Sequence, residues 1–366
     1  MLCITSLISE RVLIKDKVLM IGVNPSSVGG VASVIRSIQK SKIYTNIEYI
    51  YSNSVSNNLL LKIYAMMYSY CKFLYLLIVF RPKYIHVHTS SYSSFKRKLF
   101  FMELSSFFRI QYIVHIHGGS FIAFFDGSGF YLKSRIRVLL GGAKKVVCVS
   151  PQFESEIRSR FELSESCVVP NFVYPISLNR INEYRSNHLF EKKYLLFMGD
   201  ISDAKGFSDA VALTSRLRAV YPAVTLQCAG NPDKEYFDSI VGAQKASDFV
   251  FYHGVVKGEL KNQLMRDAYF LVSPSKIESF GMSNLEAALM GVPVLAYSVG
   301  GVPSVISNGI NGCLVGVGQW GDFVKFCSEL IDNEVEYKRL ISICYDNANL
   351  RFSLESIGML YEKIYQ

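Results

Sequence analysis

Short apolar runs recur along this chain, each closed by a polar or glycine-bearing turn and followed by a longer stretch with helical spacing. The first, KVLMIGV (17–23), leads into NPSSVGGVASVIRSIQK, which reads as strand, glycine loop and helix. The pattern continues through KYIHVHT (83–89), QYIVHIHGG (111–119), KVVCVS (145–150), KYLLFMGD (193–200), TLQCAGN (225–231), FVFYHGVV (249–256), YFLVSPS (269–275) and VPVLAYS (292–298). Strands alternating with helices predict α/β domains with parallel sheets covered on both faces. Such sheets bind ligands beyond the carboxyl ends of their strands. Here those ends carry NPSSVGG, HGG, GDISDAKG, AGNPD, PSKIESFG and SVGG. The alternation lapses over YPISLNRINEYRSNHLFEKK (174–193), a polar, strand-free stretch where one domain would give way to another.

Two segments depart from the alternation. LLLKIYAMMYSYCKFLYLLIVF (59–80) is long enough to cross a bilayer, but Lys62, Ser69 and Lys72 interrupt it. A buried helix of an α/β domain is the first reading, a helix in the membrane interface the second, and a span the third. SSFKRKLFFMELSSFFRIQ (93–111) sets Lys96, Arg97 and Lys98 beside Phe95, Phe100 and Phe101. That mixture suits an anionic membrane surface, or an ordinary helix with one charged face.

Composition narrows the class. The 366 residues exceed what one core usually serves, and 50% hydrophobic against 19% charged is globular. Residues 1–180 hold 22 Lys and Arg against 9 Asp and Glu, net +13; the rest hold 17 against 21, net −4. The first half is therefore expected to face an anionic surface or ligand. Eight cysteines make no CxxC pair and histidine is scarce, so neither a zinc site nor a disulfide framework is expected, and a reducing compartment fits. MLCITSLISERVLIKDK has no long apolar core or small-residue cleavage site, so no signal peptide is expected. No stacking-rich RNA motif is present, and Gly22, Gly29 and Gly30 do not form a dinucleotide fingerprint.

The richest stretch is SPSKIESFGMSNLEAALMGVPVLAYSVGGVPSVI (273–306), where seven residues separate Glu278 from Glu286. Ser283 and Glu286 are spaced as a capping box, which gives Glu286 a purely structural reading. The same geometry has a chemical reading. A helix N-terminus attracts phosphate, Gly281 lets backbone approach a ligand, and carboxylates accept hydrogen bonds from sugar hydroxyls. Sugar at both ends and phosphate between them describes a nucleotide-sugar.

In this setting the chain resembles the retaining glycosyltransferases of family 4, which have the GT-B fold. Glu278-Ser-Phe-Gly-Met-Ser-Asn-Leu-Glu286 carries the resemblance, with GGVASVI (29–35), HIHGG (115–119), VCVSPQF (147–153), VVPNFV (168–173) and LLFMGDISDAKGF (195–207) in the family's order. It implies two Rossmann-like doubly wound domains facing across a cleft. Residues 1–176 would form an acceptor-side domain and 177–351 a donor-binding domain, with a C-terminal helix over about 352–366 packed back on the first. It implies that Glu278 and His117 act at the donor sugar, and that Glu286 binds the ribose hydroxyls. Lys205 and the amides around Phe280, Gly281 and Met282 would hold the diphosphate and sugar. Gly29 and Gly30 would bring a loop close to phosphate or acceptor. One position departs from the family: Gly199-Asp200 stands where Gly-Arg is usual, which places an anion near the expected diphosphate.

The implied reaction is glycosyl transfer with retention, from a UDP-sugar in preference to a GDP-sugar, with no cofactor and no metal required, since no Asp-Asp metal pair is evident. The implied partners are that donor, a lipid-linked glycan acceptor and an anionic membrane surface, but no nucleic acid. The implied location is cytoplasmic, against the inner face of the membrane, in surface-polysaccharide synthesis. Two alternatives share the fold: a nucleotide-sugar epimerase, and a non-catalytic nucleotide-sugar-binding protein, which Asp200 would suit. Read alone, His86, His88 and His115 are core histidines.

Overall fold

A computed structural model describes residues 17–174 except 28, 44, 45 and 57, and residues 194–366 except 320. The predicted break at 174–193 falls outside the described residues beyond Tyr174, as does the leader region over 1–16. The chain divides into two compact units, Met1–Tyr174 with Leu354–Gln366, and Pro175–Ser353.

The first unit runs β1 (Val18–Gly22), α1 (Gly30–Ser41), β2 (Ile47–Tyr51), α2 (Leu59–Phe80), β3 (Tyr84–Thr89), α3 (Ser93–Phe107) and β4 (Tyr112–Ile116). Then come α4 (Phe121–Asp126), α5 (Phe130–Gly141), β5 (Lys145–Cys148), α6 (Pro151–Arg160) and β6 (Ser166–Val168). The second unit runs β7 (Tyr194–Met198), α7 (Phe207–Arg218), β8 (Thr225–Ala229), α8 (Lys234–Ala243), β9 (Val250–Tyr252), α9 (Gly258–Asp267) and β10 (Phe270–Ser273). It ends with α10 (Met282–Leu289), β11 (Val294–Tyr297), β12 (Gly312–Val315), α11 (Gly321–Ile331) and α12 (Glu334–Phe352). Helix α13 (Leu354–Tyr365) returns to the first unit.

Among the described residues each unit holds one six-stranded sheet, ordered β2-β1-β3-β4-β5-β6 and β12-β11-β10-β7-β8-β9. Every strand pairing is parallel. Parallel strands covered on both faces need apolar side chains on both, and β1 (VLMIG) and β4 (YIVHI) are buried at every position. Both units are thus Rossmann-like. In each sheet the strand order reverses once, between β1 and β3 and between β7 and β10, and the loops that follow such strands border a ligand crevice.

Helix α2 has the bounds of the apolar segment 59–80 but corrects its first reading as a buried helix. Only Ser69, Phe73, Leu76, Leu77 and Phe80 are buried, a stripe at helical spacing. Leu60 (75% exposed), Tyr64 (68%) and Tyr68 (60%) face outward. Asn58 caps the helix by accepting from the amides of Leu60 and Leu61, and Lys72 pairs with Glu48 at 2.8 Å. This is the one helix among the described residues long and apolar enough to cross a membrane. Helix α3 corrects the other membrane reading in part. Phe95, Lys98 and Phe101 are fully buried, so only Lys96 of the basic triplet is exposed.

Candidate functional site

The second unit assembles its site from the two loops at the strand-order reversal. After β7 the chain makes a single 3-10 turn, Asp203–Lys205, closed by Gly206 at φ +73°. A Cβ on Gly206 would stand 2.0 Å from the Pro274 carbonyl oxygen, so only glycine lets this loop rest on the loop after β10. The Lys276 amide donates to the Ala204 carbonyl at 3.0 Å and seals the same contact. Lys205 Nζ thereby reaches Glu278 Oε2 at 2.7 Å. The Glu278 carboxylate also accepts from the Ser279 amide at 3.1 Å, and its backbone carbonyl accepts from the Gly301 amide at 3.0 Å.

Glu286 lies on the first turns of α10, largely buried, with both carboxylate oxygens on Lys261 Nζ at 2.7 and 2.6 Å. This corrects the capping-box reading. The helix begins at Met282, its N-cap is Gly281 at φ +88°, and no side chain caps it. Left-handed backbone at that point is open to glycine at little cost and starts the helix directly beneath the loop. The first intrahelical bond runs from the Leu285 amide to the Gly281 carbonyl, so the amides of Met282, Ser283 and Asn284 precede the helical ladder. Asn284 is fully buried, and neither its amide nitrogen nor its oxygen finds a partner among the described residues. The Phe280 side chain turns the other way, edge-on to Phe352 at 5.7 Å, so only its backbone can serve a ligand. Asp200 is exposed. The nearby lysines are already committed, Lys205 to Glu278 and Lys276 to Asp203 at 2.7 Å.

The first unit holds the remaining candidates at the carboxyl ends of its strands. Gly29 and Gly30 are exposed at the start of α1, where Gly29 is the N-cap at φ 126°. His117 follows β4 and is buried. Its Nδ1 lies 2.8 Å from Asn171 Oδ1, which fixes a proton on that nitrogen. Its Nε2 lies 2.8 Å from His88 Nδ1. Both ring nitrogens are therefore held by protein, so a sugar contact at His117 requires exchange with His88. Burial pushes His117 down to about 4, the Asn171 hydrogen bond opposes this, and the Lys98 charge adds to it. Burial pushes Lys98 itself down to about 7, helped by Arg97, and its amine donates to the Ser94 hydroxyl at 3.0 Å.

Lys261, Asn284, Asn171 and His88 are the site residues that sequence reasoning did not single out. Asn171 lies inside VVPNFV and Asn284 inside the glutamate block, so their positions were visible but not their chemistry. Lys261 lies on α9, 25 residues before Glu286, with no local signal. Within the second unit the structure brings together Lys205, Glu278, Gly281, Met282 and Glu286. Helix-start amides, paired carboxylates and paired ammonium groups can exchange their internal partners for phosphate and hydroxyls.

Residues 180–346 match the family of glycosyl transferases group 1. A 41.2 kDa protein of the Klebsiella pneumoniae cps region is 29% identical over 260 residues, covering 66% of this chain and 69% of its own. A glycosyltransferase of Methanocaldococcus jannaschii, MJ1607, is 30% identical over 182 residues, 47% of this chain and under half (46%) of its own length. The solved structure of Anabaena Alr3699/HepE in complex with UDP-glucose superposes with a TM-score of 0.73 at 16% identity, covering 95% of this chain and 98% of that one. Residues 180–346, within the second unit, thus match the group 1 glycosyltransferase family, and the chain has a two-domain, Rossmann-like fold of the kind seen in the Anabaena protein.

Proposed function

We propose that this chain is a retaining glycosyltransferase of the family 4 type that moves a sugar from a nucleoside diphosphate to a lipid-linked glycan. The observation that carries this reading is the Lys205–Glu278 pair at the strand-order reversal, beside a helix start with no side-chain cap. The amides of Met282 and Ser283 donate to the diphosphate, and Lys205 moves from Glu278 toward the phosphate as charge develops on it. Glu286, oriented by Lys261, accepts hydrogen bonds from the ribose. Glu278, released by Lys205, holds the donor sugar near its reacting carbon. In the first unit His117 is kept for a sugar hydroxyl, and Gly29 and Gly30 admit phosphate or acceptor.

The anomeric carbon–oxygen bond to phosphate breaks while the acceptor oxygen bonds on the same face. The acceptor proton passes to the departing phosphate oxygen, and no metal takes part in this step. A UDP-sugar is the favoured donor, in line with the ligand of the Anabaena protein. The acceptor is a lipid-linked glycan, in line with the cps-region relative and the outward apolar face of α2. That face, with the net positive charge of residues 1–180, suits the cytoplasmic face of an anionic membrane and a role in capsule, O-antigen or exopolysaccharide assembly.

The test is a transfer assay with the anomeric configuration of the product read by NMR. Retention is expected. An inverted product, or a covalent glycosyl-enzyme detected by mass spectrometry, contradicts the same-face route. Conversion of the donor without acceptor would instead indicate the epimerase.

A further inference from the structure

Four histidines stand on one face of the first unit's sheet. His86 and His88 alternate along β3, His115 and His117 lie two apart at β4, and His88 is in register with His115. Their rings stack, with centroids 4.4 Å apart for His86–His88, 4.8 Å for His88–His115 and 4.2 Å for His115–His117. Tyr361 and Tyr365 of α13 lie against them.

Three of these rings are unsatisfied. His86, His88 and His115 are at most 1% exposed. Among the described residues His86 Nε2, His88 Nε2 and both nitrogens of His115 have no hydrogen-bond partner. The Val169 backbone is close enough to favour a proton on His115 without reaching full hydrogen-bond geometry. Each such nitrogen is costly in a protein interior, and three rings sharing one spot call for a common partner.

The other nitrogens follow a recognisable arrangement. His86 Nδ1 lies 2.6 Å from the Tyr365 hydroxyl. His88 Nδ1 lies 2.8 Å from His117 Nε2, and His117 Nδ1 lies 2.8 Å from Asn171 Oδ1. A ligating histidine binds metal through one nitrogen and donates from the other to an outer acceptor. Here the unpartnered nitrogens of His86 and His88 are the ones such a site leaves for the ion.

We propose that His86, His88 and His115 form a structural site for one transition-metal ion of the imidazole-preferring class, with zinc(II) the leading candidate. Their ligand atoms lie within 4.8 Å of one another. Zinc–nitrogen bonds of about 2.0–2.1 Å would draw them to roughly 3.4 Å apart in a tetrahedral site. The rings are nearly parallel, 19° for His86–His88 and 18° for His86–His115, so loading turns at least one of them. His115, whose two ring nitrogens have no hydrogen-bond partner among the described residues, is the ring whose rotation breaks no hydrogen bond. Magnesium and calcium prefer oxygen ligands and do not suit this set. The ion would tie β3 to β4 and, through His88, fix the orientation of His117.

The test uses the untagged full chain, stripped with chelator, incubated with zinc(II) or cobalt(II), and desalted. Metal is then counted by mass spectrometry and cobalt ligation read from the visible spectrum. About one ion per chain is expected, with imidazole-type cobalt bands, a higher melting temperature with zinc, and at least a tenfold loss of retained metal in His115→Phe. Under a tenth of an ion per chain in the wild type overturns the proposal. So does equal retention by a folded His115→Phe, or a cobalt spectrum dominated by thiolate, which would move the site to cysteine. If that variant does not fold, wild-type stoichiometry and the cobalt spectrum decide.

Discussion

In the second unit Glu278 and Glu286 each meet a lysine, at 2.7 Å and 2.6 Å, and all four groups remain partly reachable by solvent. In the first unit Lys98 is fully buried and bonded to the Ser94 hydroxyl, and four histidines share one face of the sheet. At these positions the second unit answers charge with opposite charge. The first unit, which pairs charges elsewhere as Lys72 does with Glu48, here answers it by burial, which favours the uncharged form. A matched pair can trade its partner for a ligand, whereas a desolvated base responds to pH. The two units should therefore fail under different challenges.

The largest effect is expected at Lys205. Lys205→Ala should lower kcat about 10²–10³-fold with a smaller change in KM, because the lysine acts on charge that develops as the phosphate departs. Lys205→Arg should recover part of the loss. Initial rates on the best donor decide, and a pure KM effect would place Lys205 in ground-state binding instead.

Acid should break the first unit. Burial holds His86 near about 3 and His117 near about 4, with His88 and His115 also held well below their ordinary value. The unfolded chain takes up these protons near 6.5, so stability falls as pH drops below that value. Lys98 works in a higher window. Its folded value of about 7 lies below the unfolded one, so stability gains as pH rises from about 7 toward 10. A melting temperature that is flat from pH 7 to 5 would contradict the burial account. Lys98, Tyr361 and Tyr365 face the stack.

A smaller effect is expected on the outside of α2. Leu60→Glu with Tyr64→Glu should weaken flotation with anionic liposomes about tenfold while leaving stability within about 0.5 kcal/mol, since both side chains face solvent. Unchanged flotation would remove α2 as the membrane face. The smallest effect is expected at Asp200. Asp200→Arg should tighten donor binding a few-fold by replacing an exposed anion with a cation near the diphosphate. Calorimetric titration reads it.

Much of this architecture was legible because parallel strands buried on both faces leave nearly continuous apolar runs. The expected strands at 17–23, 83–89, 111–119 and 269–275 contain β1, β3, β4 and β10. The strands not anticipated are β2, β6 and β12, where IEYIY mixes in a glutamate and SCV and GCLV are too short for periodicity to speak. The glutamate block located its helix but misplaced the start, because a left-handed glycine cap leaves no capping side chain to read. The Lys205–Glu278 and Lys261–Glu286 pairs are tertiary, and spacing alone does not reveal them. The HVH and HIH repeats showed alternation, but only the register of β3 on β4 turns two pairs of histidines into one stack.

The most direct measurement is thermal stabilisation across UDP-, GDP-, ADP- and CMP-sugars, for the wild type and Glu286→Ala. A ligand that binds only the folded chain raises the melting temperature by mass action. The account predicts a rise with one nucleotide class, UDP-sugars first, and its loss in the variant. No rise with any donor, or a rise that Glu286→Ala leaves intact, would contradict the placement of the donor at the Lys205–Glu278 rim.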